Sequence, residues 1–420
     1  MLREHRLLVT CWLVLGLALP SRAADAASLA YVANYWSDTV SVVDTGCRRA
    51  TNPGCTEVVA TIAVGHHPYG IAAHPAGTAA YVANAYDDSV SVIASPGNHV
   101  VATIAVGSLP FGVAVNPAGS RVYVANLAGN SVSVIDTASN RIVATIHGIA
   151  SPHGLTVSPD GARLYVGNYY SHSVTVIDTA ANAFYTLVPV GNLPTGIAFS
   201  PDGARAYVAA FNDNNVSVID TASSDVIARV PVGRGPAGVA IDSHGDAVYV
   251  ANMNDNSVSV IDAATLAILA TIPVGASPVG VAADPGGSAV HVANSFDDNV
   301  SVIDTASHQV VATVPVGSGP YSYGAFVARA AAPALLLRNL LDELRGMQLG
   351  PGVESPLAAH LQQAIRSLAR AGASCGPLGR FIDAVDRLVR SRRLPAVDGA
   401  TLVADARAIA STLQCGTSKR

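Results

Sequence analysis

Charge, aromatic side chains and cysteine are all scarce in this sequence, and each scarcity excludes something. Charged residues make up 13% of the 420-residue chain and aromatics 5%, whereas hydrophobic residues are half of it. Residues 24–328 contain no Lys and a single Glu, Glu57, with 8 Arg against 21 Asp and Glu. An acidic, lysine-free surface argues against nucleic acid as partner, because phosphate binding depends on clustered cations. A lone Glu also makes paired-glutamate acid–base chemistry hard to assemble. The 5 Cys show no zinc-type spacing and no adjacent His pair, so no structural metal centre is expected. The apolar run Leu7 to Leu19 is shorter than the roughly 20 residues of a membrane-spanning helix. It follows Arg3 and Arg6 and precedes Ser21-Arg22-Ala23, with small residues where a signal peptidase cuts. Residues 1–23 are therefore expected to be a secretory signal peptide, and the mature chain to be exported to the periplasm, cell surface or exterior. In an oxidising compartment the four remaining Cys are expected to form two disulfides, Cys47 with Cys55 and Cys375 with Cys415.

What is abundant is Gly, Ala, Val, Ser and Asp, the vocabulary of short strands and tight turns. The segment Tyr-Val-Ala-Asn begins at Tyr31, Tyr81, Tyr123 and Tyr249, with close variants at Tyr165, Tyr207 and His291. The steps are 50 residues once and then 42 five times. The longer step holds Cys47 to Cys55, a surface insertion with a Cys at each end. Each repeat divides into four strands. The first is exemplified by Val281-Ala282-Ala283, and a turn such as Pro159-Asp160-Gly161 follows it. Then come the Tyr-Val-Ala-Asn strand, a third strand such as Ser131 to Asp136, and a fourth such as Val100 to Gly107. Four strands in a repeat of this length make a propeller blade. The chain enters at a second strand (Leu29 to Asn34) and leaves at a first strand (Tyr321 to Val327), so one blade combines both termini. The predicted fold is an all-β seven-bladed β-propeller over residues 24–328, closed without a free ring edge, followed by an α-helical module over residues 329–420.

The recurring set Tyr-Val-Ala-Asn, Val-Ser-Val-Ile-Asp-Thr and Thr-Ile-x-Val-Gly-x-x-Pro-x-Gly resembles the YVTN family of β-propeller repeats over roughly residues 29 to 328. The resemblance implies a seven-bladed propeller in an exported or surface-layer protein, and no single activity. Three positions depart from the pattern: Ala94 where Asp is usual, Ala210 where Asn is usual, and Gly148, displaced by one residue.

From about Ala331 alternation gives way to three- and four-residue spacing, as in Leu336, Leu340, Leu341 and Leu344. Ser355-Pro356 predicts an N-cap and first-position proline for a helix over Leu357 to Ala371. Further amphipathic stretches cover Leu378 to Val389 and Thr401 to Leu413. The order Leu349-Gly-Pro-Gly-Val-Glu-Ser-Pro-Leu357, Cys375, Phe381-Ile382-Asp383 and Ala406 to Cys415 is similar to the FIMAH-type helical module of secreted bacterial proteins, with Asp383 where that family shows Asn. That resemblance implies no catalytic residue, and places the Cys pair between the start of the third helix and the end of the last. Residues 329–420 carry 13 Lys and Arg against 7 Asp and Glu, a basic module beside an acidic propeller. Arg387, Arg390, Arg392 and Arg393 read either as a solvated face or as an electrostatic dock on the propeller or an anionic cell surface.

In a four-stranded blade the second-to-third and fourth-to-first loops emerge on the same face. Here the former carry Tyr35, Trp36, Tyr86, Tyr169, Tyr170, Phe211 and Phe296, and the latter His66, His67, Tyr69, Phe111, His153, Arg234 and Tyr321. Ten of the 23 aromatic residues thus fall on short loops of one face, where a rigid scaffold displays binding residues. The residue after the loop proline varies (Tyr69, Phe111, His153, Thr195, Ala237, Val279, Tyr321) in an otherwise strict repeat, which marks a ligand-facing slot. Tyr69, Phe111, His153 and Tyr321 are therefore candidate ligand-binding residues, with His66, His67, Arg234, Trp36 and Tyr170 around them. The competing reading has Tyr35, Tyr86, Tyr169, Phe211 and Phe296 closing gaps between blades. Acidic loops such as Asp87-Asp88 and Asp297-Asp298 suit Asx-turns better than calcium, since they come from different blades. His66 and His67 diverge as neighbours on a strand-like loop, so no metal site with His153 is expected.

These features point to a non-catalytic binding or scaffold protein that needs no cofactor and engages a polysaccharide or protein of the cell envelope. One competing reading is a lactonase- or lyase-like enzyme at the channel mouth, built from His66, His67, His153 and Arg234. Another is single-stranded nucleic acid stacked on the aromatics, which the acidic charge opposes.

Overall fold

Alternating Val, Ser, Ala and Ile give strands that are apolar on both faces, and such strands need cover on both sides. The computed structural model supplies it by arranging seven four-stranded antiparallel sheets in a ring. It describes residues 28–45, 57–95, 97–369, 375–413 and 415. The expected signal peptide and the Cys47–Cys55 pair lie outside the described residues. Blade 1 joins the termini: β1 (Ser28–Asn34), β2 (Thr39–Asp44) and β3 (Val58–Ala63) pair with the closing strand β28 (Val327–Arg329) in the order β28-β1-β2-β3. Leu29 faces Ala328 and Ala30 faces Val327 in that closure. Blades 2 to 7 are β4–β7 (residues 68–105), β8–β11 (110–147), β12–β15 (152–189), β16–β19 (194–231), β20–β23 (236–273) and β24–β27 (278–315). The first strand of each is innermost. The closing strand runs to Arg329, one residue past the expected boundary.

Each blade's core is shared with its neighbours. Tyr81 and Val92 of blade 2 pack with Val113, Val122 and Ile135 of blade 3, all buried. A blade cannot bury both faces alone, so the ring is the stable unit. At the axis the inner strands nearly touch. A Cβ on Gly70, Gly112, Gly154, Gly196, Gly238 or Gly280 would fall on the carbonyl oxygen of the residue 41 or 42 positions on, in the next inner strand. The Gly of Pro-x-Gly is there for close approach.

Buried asparagines finish the second strands. Asn126 donates from Nδ2 to Ser131 Oγ at 3.1 Å and Ser133 Oγ at 2.9 Å, and Asn252 does the same to Ser257 and Ser259 at 3.0 and 2.9 Å. Blade 5 has Ala210 instead, and there Asn215 Oδ1 and Ser217 Oγ are buried without a partner. Ala210→Asn is expected to restore both bonds, as Asn294 does with Asn299 and Ser301, and to raise stability by about 1 kcal/mol. Thermal unfolding checks this, and a lower melting temperature would show that the site cannot take the larger side chain.

The C-terminal helices are α1 (Pro333–Gly346), α2 (Pro351–Ala369), α3 (Cys375–Arg390) and α4 (Ala396–Thr412), packed on Leu337, Leu344, Leu361, Phe381, Val385 and Leu402. The Cys375–Cys415 disulfide ties the start of α3 to the residue beyond α4. One expectation is corrected. Helix α2 begins at Pro351, capped by the Gly350 carbonyl, which accepts from Val353 and Glu354 N–H, so Pro356 lies inside it. The helix tolerates Pro356 because the Gly352 carbonyl, which loses its intrahelical donor, accepts instead from Arg393 Nη2 at 3.4 Å. Of the two readings of the arginines, the structure agrees with the solvated face rather than a dock on the propeller: Arg387, Arg390, Arg392 and Arg393 are all exposed. The contact is made by buried Asp405 of α4, which abuts Gly97 and lies 3.7 Å from His99 Nδ1 in blade 2. Burial, and then the Asp405 charge, push the nearby Glu343 carboxyl up to about 7.

Candidate functional site

The loops of the aromatic face are held by a repeated clasp. Every second-to-third loop ends in a left-handed residue: Asp38, Asp88, Asn130, His172, Asn214, Asn256 or Asp298, with φ between 48° and 54°. Each of these side chains accepts a backbone N–H from the loop entering the next blade. The donors are His67, Leu109, Ser151, Leu193, Gly235, Ser277 and Gly319, at 2.8–2.9 Å, or 3.3 Å for the His172 ring. In four loops the preceding Asp clasps its own blade's entry loop: Asp87 to His66 N–H at 2.7 Å, Asp213 to Asn192 at 2.9 Å, Asp255 to Arg234 at 2.6 Å and Asp297 to Ala276 at 2.7 Å. The acidic pairs thus brace the ring. Among the described residues no three His, Cys, Asp or Glu side chains are placed to hold a metal ion.

The clasp also accounts for two candidate residues. His66 Nδ1 lies 2.8 Å from Asp87, and that hydrogen bond raises its pKa; the His66 backbone N–H in turn lowers that of Asp87. Arg234 Nε donates to Asp255 at 2.6 Å. His67 turns the other way, its ring 4.5 Å from both Tyr35 and Tyr86. The two histidines diverge.

The centre of the face is closed by a side chain that sequence reading missed. The closing segment reads Tyr321-Ser322-Tyr323-Gly324 where other blades read x-Gly-Val-Ala or a close equivalent. It runs along the channel edge of β4, with Ile71 N–H donating to Tyr323 O and Ala73 N–H to Ala325 O, both at 2.9 Å. Buried Tyr323 therefore enters the channel. Its ring stacks on Tyr69 at 5.3 Å and 4°, meets His153 edge-on at 5.3 Å, and packs with Ala237 and Val279. The variable slot now has a physical cause: blades 1 to 4 supply the large rings of Tyr321, Tyr69, Phe111 and His153, while Thr195, Ala237 and Val279 leave room for Tyr323. Tyr69 lies 4.1 Å from Phe111 and 4.9 Å from Tyr321, and His153 stacks on Tyr169 at 4.9 Å. His153 is buried with Nδ1 unpartnered, and burial pushes its pKa down to about 4, so it stays neutral. Tyr69, Phe111 and Tyr321 are half-buried and form the floor of the face.

Around this floor stand four rings with most of their surface in solvent: Trp36 (61% exposed), Tyr86 (65%), Tyr170 (67%) and Phe296 (72%). All occupy the second position of their loops. First-position Tyr35, Tyr169 and Phe211 are half-buried and pack inward. The five aromatics that looked equivalent in sequence therefore divide into packing residues and displayed ones. Trp36, Tyr35, His67 and Tyr86 form one continuous cluster, linked through Tyr69 and Phe111 to His153, Tyr169 and Tyr170. Tyr86 and Phe296 belong with the candidate residues; the signal was their offset of one residue from Tyr35, Tyr169 and Phe211.

Residues 59–167 and 240–331 match the family of YNCE-like beta-propellers, in keeping with the YVTN-like repeat. No curated protein matches the sequence. Among solved structures the chain is similar to hydrazine synthase of Kuenenia stuttgartiensis, with 23% identity and a TM-score of 0.56 over 61% of this chain and 88% of that one. It is similar also to a functionally unknown protein of Desulfotomaculum acetoxidans, with 16% identity and a TM-score of 0.61 over 71% of this chain and 100% of the other. A Bacteroides fragilis protein provisionally named a 6-phosphogluconolactonase aligns with 17% identity and a TM-score of 0.61, over 71% of this chain and 98% of its own. At these identities the likeness is one of fold alone.

Proposed function

We propose that this seven-bladed propeller is an exported, non-catalytic binding protein whose aromatic face engages a polysaccharide of the cell envelope. The observation that carries the proposal is the set of four exposed rings, Trp36, Tyr86, Tyr170 and Phe296, around a floor of half-buried Tyr69, Phe111 and Tyr321. Exposed aromatics on a braced scaffold offer flat apolar surfaces for sugar rings at little entropic cost, and those with polar tips can also hydrogen-bond hydroxyls. The polar side chains of the face are engaged in holding it together: His66 with Asp87, Arg234 with Asp255. The helical module, similar in sequence to the FIMAH type, turns Arg387, Arg390, Arg392 and Arg393 outward, and in this reading adds contact with an anionic envelope surface.

The test is a binding screen of the mature protein against cell-envelope glycans, run beside a Trp36→Ala, Tyr86→Ala, Tyr170→Ala, Phe296→Ala variant. Because these rings are largely solvated, the variant is expected to keep its melting temperature and to lose at least about tenfold in affinity. Glycan binding that survives unchanged, or no binding by the parent protein, overturns the proposal.

A further inference from the structure

We infer that the axial channel on the side of the ring opposite the aromatic face, where turns such as Pro159-Asp160-Gly161 lie, is a second ligand site, built for an aliphatic carboxylate that enters chain first. Tyr323 closes the channel from the aromatic face, and beyond it lies a cavity of about 620 Å³ that reaches the turn residues Pro75, Pro159 and Pro285. That volume lies within the roughly 300–1,000 Å³ range of small-molecule pockets. Its walls repeat with the blades. Ala72, Ala114, Thr156, Ala198, Ala240 and Ala282 occupy one level of the six successive inner strands, at steps of 42 residues, and all line it. Small side chains at this level keep the bore open, and Val115, Val157 and Ile241 make it apolar. The lining is more apolar than polar, which favours a guest that carries an alkyl chain.

One charged side chain lines the cavity, and it is cationic: Arg329, at the end of the closing strand. It is exposed, with Nη2 donating to Pro285 O at 3.2 Å. Acids in the turns are held in place, as buried Asp242 is by four backbone N–H donors. Asp284 is buried and accepts from Ser28 Oγ at 2.8 Å, while Asp160 and Asp202 accept from Ser158 and Ser200 in their own turns. None of these four acids lines the cavity. A blind bore with mainly aliphatic side chains in its wall and a guanidinium at its rim matches a molecule with an alkyl chain and a terminal carboxylate, since a charged hydrogen bond at the mouth adds to burial of the chain.

Isothermal titration of the full chain with decanoate, octanoate and decyltrimethylammonium tests the inference. Decanoate is expected to bind at one site, with affinity falling about fourfold for each methylene removed, and the cationic amphiphile to bind at least about tenfold more weakly. Arg329→Gln, at an exposed position, should weaken decanoate about tenfold and leave decanol unchanged. Ala198→Phe, at a half-buried wall position, should fill the bore and abolish both. Absence of saturable decanoate binding overturns the inference. So does binding that is indifferent to both substitutions, or a preference for the cation. The Trp36→Ala, Tyr86→Ala, Tyr170→Ala, Phe296→Ala variant should bind decanoate normally, which keeps this site separable from the aromatic face.

Discussion

Gly154→Ala is expected to destabilise the propeller by about 3–4 kcal/mol, although it adds a single methyl group. The added Cβ would fall on the carbonyl oxygen of Thr195 in the neighbouring inner strand, with the Thr195 carbonyl carbon behind it. The obstacle is backbone on both sides, so no rotamer change relieves it. Blades 4 and 5 would have to separate, and a closed ring passes that separation on to the other blades. Gly148 is the control: its φ is +80° and a Cβ there meets nothing within 4 Å, so Gly148→Ala should cost about 1 kcal/mol from backbone conformation alone. Urea unfolding distinguishes the two. A loss below about 1 kcal/mol for Gly154→Ala would mean that the inner strands are not in contact at the axis.

Tyr323→Ala should cost a similar amount, about 3–5 kcal/mol, and change a titration as well. The ring is buried against Tyr69, His153, Ala237 and Val279, and its removal joins the cavity to the aromatic face. Water then reaches His153, whose pKa burial holds down to about 4. In the parent protein a His depressed in this way contributes its full stability above the unfolded value of about 6.5. That stability is lost as pH falls from there toward the folded pKa, because the unfolded chain takes up the proton first. In the variant the His153 pKa should rise toward 6.5, so the destabilisation measured at pH 5 should be smaller than that at pH 7.5. NMR of the His153 ring reads the shift directly. An unchanged titration would show that Tyr323 does not seal the channel.

Much of this architecture was legible because it depends on local pattern. Two-residue alternation and turn chemistry recur every 42 residues, and the ends of the repeat series predict the shared blade that β1 and β28 form. The face that carries the aromatics followed from loop order alone. The helix start at Pro351 was less legible, because the compensating donor to Gly352 comes from Arg393, 41 residues away. The docking of the module was not legible for a similar reason: net charge describes its whole surface, whereas the contact sets buried Asp405, with half-buried Glu343 nearby, beside His99.

By itself, the sequence determined the number of blades, their strand order, the closure by both termini and the loops that share a face, since each follows from period, alternation and turn residues. Only the tertiary structure decided which aromatic is wall, plug or displayed surface. Tyr169 and Tyr170 are neighbours in one loop, yet one stacks on His153 and the other stands in solvent. Tyr323 becomes a plug only when the closing segment hydrogen-bonds to β4, some 250 residues earlier. Burial is a property of neighbours in space, and around a closed ring those neighbours are brought together from opposite ends of the chain.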